Sequence, residues 1–144
     1  MELVLCFLGA TTAGVLFTVP RPGLLPCGLL GCVGWFTAEG FDKLGWAPAA
    51  GDFMAALVVS LGAEVCARRL KMPVLCFGAP GLIPLVPGMS AYGAMYALVN
   101  GHYEKGQQMA LDTLLAAAAI SAGLVLAGAM YPRRKPVVMT ALLL

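Results

Sequence analysis

Residues 78–95 read GAPGLIPLVPGMSAYGAM, three prolines and four glycines set in a stretch that is otherwise apolar. Proline has no amide hydrogen and turns the residue before it away from helical backbone, so Pro80, Pro84 and Pro87 each disturb the chain around Ala79, Ile83 and Val86. The spacing predicts a break rather than one continuous helix. In hydrocarbon an unpaired backbone group is costly, and irregular backbone survives only where protein or a water-filled cavity surrounds it. The stretch is therefore expected to face the interior of a helical bundle and to line a polar pathway.

The rest of the chain sets that stretch in a membrane. Of 144 residues, 60% are hydrophobic and 11% charged, with mean hydropathy +0.89. A soluble domain uses about a quarter charged residues to cover its surface. The apolar residues come in long runs between short polar breaks, as several spans of about 20 residues would require. With 18 glycines and 8% aromatic residues, the spans suit close backbone approach. Residues 1–144 are read as one polytopic domain. The N-terminal run MELVLCFLGATTAGVLFTV lacks a positive leader and a small-residue cleavage site, so it is taken as a retained first span.

Five apolar segments can be marked: Leu3–Val19, Leu24–Ala38, Phe53–Ala67, Met72–Val99 and Leu111–Tyr131. The expected fold class is an all-α integral membrane protein of about five transmembrane helices with a proline-broken fourth span; the alternative is four spans plus a re-entrant segment. Arg21 follows the first span, Arg68, Arg69 and Lys71 the third, and Arg133, Arg134 and Lys135 the fifth. Seven of the nine basic residues thus fall on one face, which places the N-terminus outside and the C-terminus in the cytoplasm. Trp35 and Trp46, flanking the second loop, suit an interfacial belt. Small residues at Ala119, Gly123 and Ala127, and at Gly28, Gly31 and Gly34, read as packing surfaces, with pore lining the weaker reading.

Within the broken span, Pro87 suits the first residue of a new helical turn, where its missing donor would be unpaired in any case. A half-helix running from there to Val99 would offer the amides of Gly88, Met89 and Ser90 to a carboxylate. Broken helices at mid-membrane hold substrate in many secondary transporters. Ser90 adds a hydroxyl, and Tyr92 and Tyr96, four apart, share a helix face. The substrate-binding candidates are Pro87, Gly88, Met89, Ser90 and Tyr92, within a broken-helix motif of Pro80, Gly81, Pro84, Pro87 and Gly88. The competing reading is a plain proline kink with Tyr96 at the interface.

Three charged residues are candidates for coupling or gating. Glu64 and Arg68 stand four apart near the cytoplasmic end of the third span, close enough to pair. A charge inside a span is expensive and suggests function, although Arg68, Arg69 and Lys71 could equally snorkel to headgroups. Asp112 sits in a small-residue span, where lining a pathway is the favoured reading, whereas Asp52 reads as a helix cap. His102 reads as solvated loop. Cys6, Cys27, Cys32, Cys66 and Cys76 lack metal-ligand or disulfide-framework spacing and read as apolar filler. The sequence shows no nucleophile with its base and no phosphate loop, so no enzyme activity, metal or cofactor is expected, and no nucleic-acid partner.

The segment PGLIPLVPGMSAYGAM (80–95), preceded by AEVCARRLKMP (63–73), resembles the threonine/serine exporter (ThrE) family, and the likeness includes FTVPRPGLLPCGLLGCVGW (17–35). It is similar to the small, YjjB-like membrane subunit of the split form. That resemblance implies an exporter of the inner membrane driven by proton-motive force, moving threonine and serine or succinate-like dicarboxylates out of the cytoplasm. It also implies a larger, YjjP-like partner subunit, since this chain has no room for the soluble region or the first membrane half. The rival is a scaffold subunit that only stabilises such a partner. Symmetry also permits a homo-oligomer.

Overall fold

The computed structural model describes residues 2–130. Tyr131 and the basic residues Arg133, Arg134 and Lys135, on which part of the charge reading rests, lie outside that range. The described chain is helical throughout: α1 Glu2–Leu16, α2 Arg21–Lys43, α3 Pro48–Leu70, α4 Leu75–Leu82, a 3-10 turn Ile83–Leu85, α5 Gly88–Val99 and α6 Tyr103–Met130. Three helices, α2, α3 and α6, are long and apolar enough to cross a membrane, and α4 with α5 makes a fourth if the bent pair is counted as one span. The apolar helix Leu3–Leu16 is shorter. This is the expected all-α membrane protein.

The helices overrun the apolar segments marked in the sequence. The helix α2 continues through Glu39, Asp42 and Lys43, where Lys43 pairs with Glu39 one turn back at 3.3 Å. The loop expected over residues 39–52 shrinks to Leu44–Ala47, and the polar run before the last span becomes the first turns of α6. Polar residues at a span's end can stay helical among headgroups, so hydropathy marks the apolar part of a helix and not its ends. One consequence is a correction: Asp52 is the fifth residue of α3, beyond its first turn, and α3 has no side-chain cap.

Glycine decides how closely the helices meet. A β-carbon on Gly28 would lie 2.5 Å from the Phe7 ring, one on Gly31 2.6 Å from the Ala10 methyl, and one on Gly34 2.7 Å from Val59. The three glycines of α2 thus seat α1 on one side and α3 and the broken span on the other. On α4, a β-carbon at Gly81 would lie 3.0 Å from Val59 and 3.3 Å from Leu30, which brings α2, α3 and α4 together around one buried core of Cys27, Leu30, Val59, Ala63, Phe77 and Leu85. The packing reading of these glycines holds, and it holds equally for Gly123 and Ala127, both buried on α6.

Pro80 does not break its helix. α4 runs through it, and its side chain is among the most buried in the protein. The helical partner of its missing amide would be the carbonyl of Cys76, four residues earlier. That carbonyl accepts a hydrogen bond from the fully buried Cys27 thiol on α2, Sγ to O 3.3 Å. The chain breaks instead at Val86, whose extended backbone (φ −65°, ψ 124°) is what a residue before proline prefers. The segments Leu75–Leu85 and Gly88–Val99 meet at 46°.

Beyond the break the packing changes. α5 packs against α6 and, among the described residues, against no other helix; α6 in turn packs on α3. A β-carbon at Gly123 would meet the Phe53 carbonyl at 2.7 Å and Ala56 at 3.1 Å, so the later turns of α6 lie beside the early turns of α3. Replacing Gly81 by Val is expected to destabilise the protein by about 1–3 kcal/mol through overpacking. Cys27→Ala, which strands the Cys76 carbonyl, should cost about 1 kcal/mol and Cys27→Ser much less. Thermal unfolding in detergent, followed by tryptophan fluorescence, checks both.

Candidate functional site

The broken-helix motif is divided between two environments. Pro80 and Gly81 are buried in the core, Leu85 packs against Gly34, and Pro84 lies over Gly31. From Val86 onward the chain turns outward: Val86 is 60% exposed, Met89 85% and Tyr92 68%, and no atom lies within 4 Å of where a Gly88 side chain would stand. The expectation that the whole stretch faces the bundle interior therefore holds for α4 and not for the start of α5. Its cause is the packing just described, since α5 has α6 on one side and no other helix of the described residues on the other.

The helix start itself differs in one detail from the sequence reading. Pro87 is the residue before the helix, with φ −75° and ψ 54°, close to an inverse γ-turn. The turn closes with the Gly88 amide donating to the Val86 carbonyl at 2.7 Å. One of the three amides expected to be free is thus occupied. The amides of Met89 and Ser90 make no hydrogen bond among the described residues, and the Ala91 amide donates back to Pro87 at 3.1 Å. The Ser90 hydroxyl has only a long contact, 3.5 Å, to the Pro87 carbonyl.

Tyr92 and Tyr96 share the outward face of α5, their rings stacked 6.3 Å apart at 23°. The opposite face carries Gly93, Ala94 and Ala97; a β-carbon at Gly93 would lie 2.6 Å from Met109 of α6. Small residues inward and tyrosines outward place two phenols on one side of a short helix and two open amides at its N-terminal end, whereas Ser90, two residues before Tyr92, falls on the side of Ala94 and Ala97. The amides can donate to an anionic oxygen, and the phenols can hydrogen-bond a polar group. Among the described residues it is a surface rather than a pocket.

The charged candidates fall elsewhere. Glu64 is buried at 8% exposure on α3 and pairs with Arg68, Oε2 to Nε 3.7 Å. Ser60, one turn before it, is 9% exposed. Ser60 was missed in the sequence, where nothing separates a serine turned inward from one facing lipid. Asp112 is exposed on α6 between the exposed Leu111 and Leu114. The structure does not bring Glu64 to the Pro87–Tyr92 surface, since α3 and α5 do not touch. His102 is exposed in the turn between α5 and α6.

Comparison with known proteins agrees with this architecture. The sequence matches the family described as "Threonine/Serine exporter, ThrE" over residues 2–130. A relative from Haemophilus influenzae, described as an uncharacterized protein, is 28% identical over 146 residues, which cover 95% of this chain and 49% of the relative. The chain thus spans about half the length of that relative. No solved structure matches. A match that runs from the first described helix to the end of the last is enough to state that the chain belongs to the threonine/serine exporter family.

Proposed function

We propose that the chain is the membrane subunit of a secondary exporter that carries small carboxylate-bearing metabolites, threonine and serine or succinate-like dicarboxylates, out of the cytoplasm across the inner membrane. The observation that carries this is the start of α5, where the Met89 and Ser90 amides are open one turn before the exposed Tyr92. A substrate carboxylate is bound there, and the Tyr92 phenol holds a second polar group. This surface is open among the described residues, and in the exporter a larger partner subunit closes it. The chain spans about half the length of the Haemophilus influenzae relative, which is compatible with a further part that, on this reading, the larger subunit supplies.

Efflux tests this directly. Cells preloaded with labelled threonine or labelled succinate should lose one label only when this chain and the larger subunit are both expressed. Equal efflux with the larger subunit alone would make this chain a scaffold. In the active pair, Ser90→Ala and Tyr92→Phe should each weaken the apparent substrate affinity about tenfold, the scale of one hydrogen bond to a charged group, with the two subunits still copurifying.

The charge distribution of the loops supports a five-crossing arrangement with the N-terminus outside and the C-terminus in the cytoplasm. One contact favours a second arrangement. The α6 turn at Gly123 touches the α3 turn at Phe53–Leu57, so these two turns share one depth. In five alternating crossings they approach opposite faces, whereas they coincide if α4 and α5 enter and leave the bilayer on the same side. Single cysteines at Trp46, Lys71 and His102, in a background with the native cysteines replaced, decide between them. With five crossings an impermeant maleimide on intact cells labels positions 46 and 102 and spares 71; with a re-entrant segment position 102 is spared as well.

A further inference from the structure

Ser60 and Glu64 are the two buried polar side chains of the described core, and they stand one turn apart on α3. Hydroxyls elsewhere on the helices bond back to a carbonyl of their own helix: Thr11 and Thr12 to Leu8, Thr37 to Val33, Thr113 to Met109, Ser121 to Ala118. This is how a helix ordinarily satisfies such a group. Ser60 makes no such bond and, among the described residues, no other. A hydroxyl that keeps a little exposure and has no partner among the described residues therefore sits one turn from a buried carboxylate whose ion pair, at 3.7 Å, is loose.

Helix geometry lets that carboxyl reach both ways. A side chain on a helix leans over the turn on its N-terminal side, which for Glu64 is the turn of Ser60. Arg68, one turn on, leans back toward Glu64 for the same reason, and glutamate before arginine at this spacing is the favoured order. The elements packed against α3 carry other charged or titratable groups: Arg21, Cys27, Cys32, Glu39, Asp42 and Lys43 on α2, Cys76 on α4, and Tyr103, Glu104, Lys105 and Asp112 on α6. α3 itself adds Asp52, Cys66 and Arg69. Among the described residues Glu64 is paired with Arg68 and with none of these.

We propose that Glu64 is a proton carrier whose carboxyl turns between two partners on its own helix, Arg68 when ionised and the Ser60 hydroxyl when protonated. This rests on the exporter reading and names the group through which a proton gradient acts on it. On uptake a proton from the aqueous side bonds to a Glu64 oxygen, the ion pair to Arg68 is given up, and the new acid O–H donates to Ser60. Release reverses each step. The Arg68 guanidinium, half exposed, stays charged throughout and marks the aqueous end of the path.

Dicyclohexylcarbodiimide, which modifies protonated carboxyls in apolar surroundings, tests the site without any transport assay. In membranes carrying the full chain, peptide mass spectrometry should find the adduct at Glu64 and none at the surface Glu39 or Glu104, with a yield that falls as pH rises. Glu64→Gln should abolish it. At one fixed pH, Ser60→Ala should lower the yield and Arg68→Gln raise it. An unmodified Glu64, or a yield that neither variant moves, overturns the proposal. Loss of efflux reading alone would leave the labelling intact, so the two failures can be told apart.

Discussion

A backbone inside hydrocarbon must satisfy its own hydrogen bonds, and three prolines within eight residues remove three of the donors that would do so. Most of what is particular to this fold answers that shortage. The Cys76 carbonyl, deprived of the Pro80 amide, takes the Cys27 thiol. The Ile83 carbonyl, whose helical donor would have been Pro87, accepts the Val86 amide in a tighter turn. A thiol is a weak donor, and it serves here because it is wholly buried and α2 is near enough to deliver it. That nearness is the work of Gly31 and Gly34 on α2 and Gly81 on α4, which leave room for α2 and the broken span to approach. The prolines and the glycines of the second span are thus one arrangement seen from two sides.

The same shortage fixes where the chain changes direction. Pro80 has α2 and α3 around it and stays helical. Val86 has no comparable neighbour and takes the extended conformation that the following proline favours. A proline in a packed position is absorbed, and a proline at the edge of the packing turns the chain. This is why α4 belongs to the core while α5, after a bend of 46°, belongs to α6. The polar groups released at the bend consequently point away from the core that made the bend possible.

Much of this could be read from the sequence and some could not. The helical class, the apolar segments and the break follow from hydropathy and from proline chemistry, both local properties. Helix ends were misjudged wherever polar residues continue a helix past its apolar part, as at Glu39–Lys43 and Tyr103–Met109. Which proline breaks the chain depends on the thiol of a residue about fifty positions away, and no local rule contains it. The amides of Met89 and Ser90 were legible from Pro87, but the loss of the Gly88 amide required a backbone angle. Glu64 was legible as a charge within a span. Ser60 was not, because a serine's choice between its own helix and a neighbour is made by packing.

The division of the chain bears on how its function can be built. Its buried polar pair, Ser60 and Glu64, lies within the packed helices, whereas its open amides and its tyrosines lie on the outer side of α5. A transporter must couple a site that binds cargo to a site that senses the driving ion, and the two sites proposed for these roles are separated by α6, which packs on α3 with one part of its length and on α5 with another. Any movement of α6 against α3 carries α5 with it, because α5 is held by nothing else in the described chain. Under the proposals above, a change of charge at Glu64, on the helix against which α6 rests, has a mechanical route to the start of α5 through one helix–helix contact that includes Gly123. Small side chains at that contact let helices shift by small steps without opening a cavity, which a contact of large interlocked side chains would not allow.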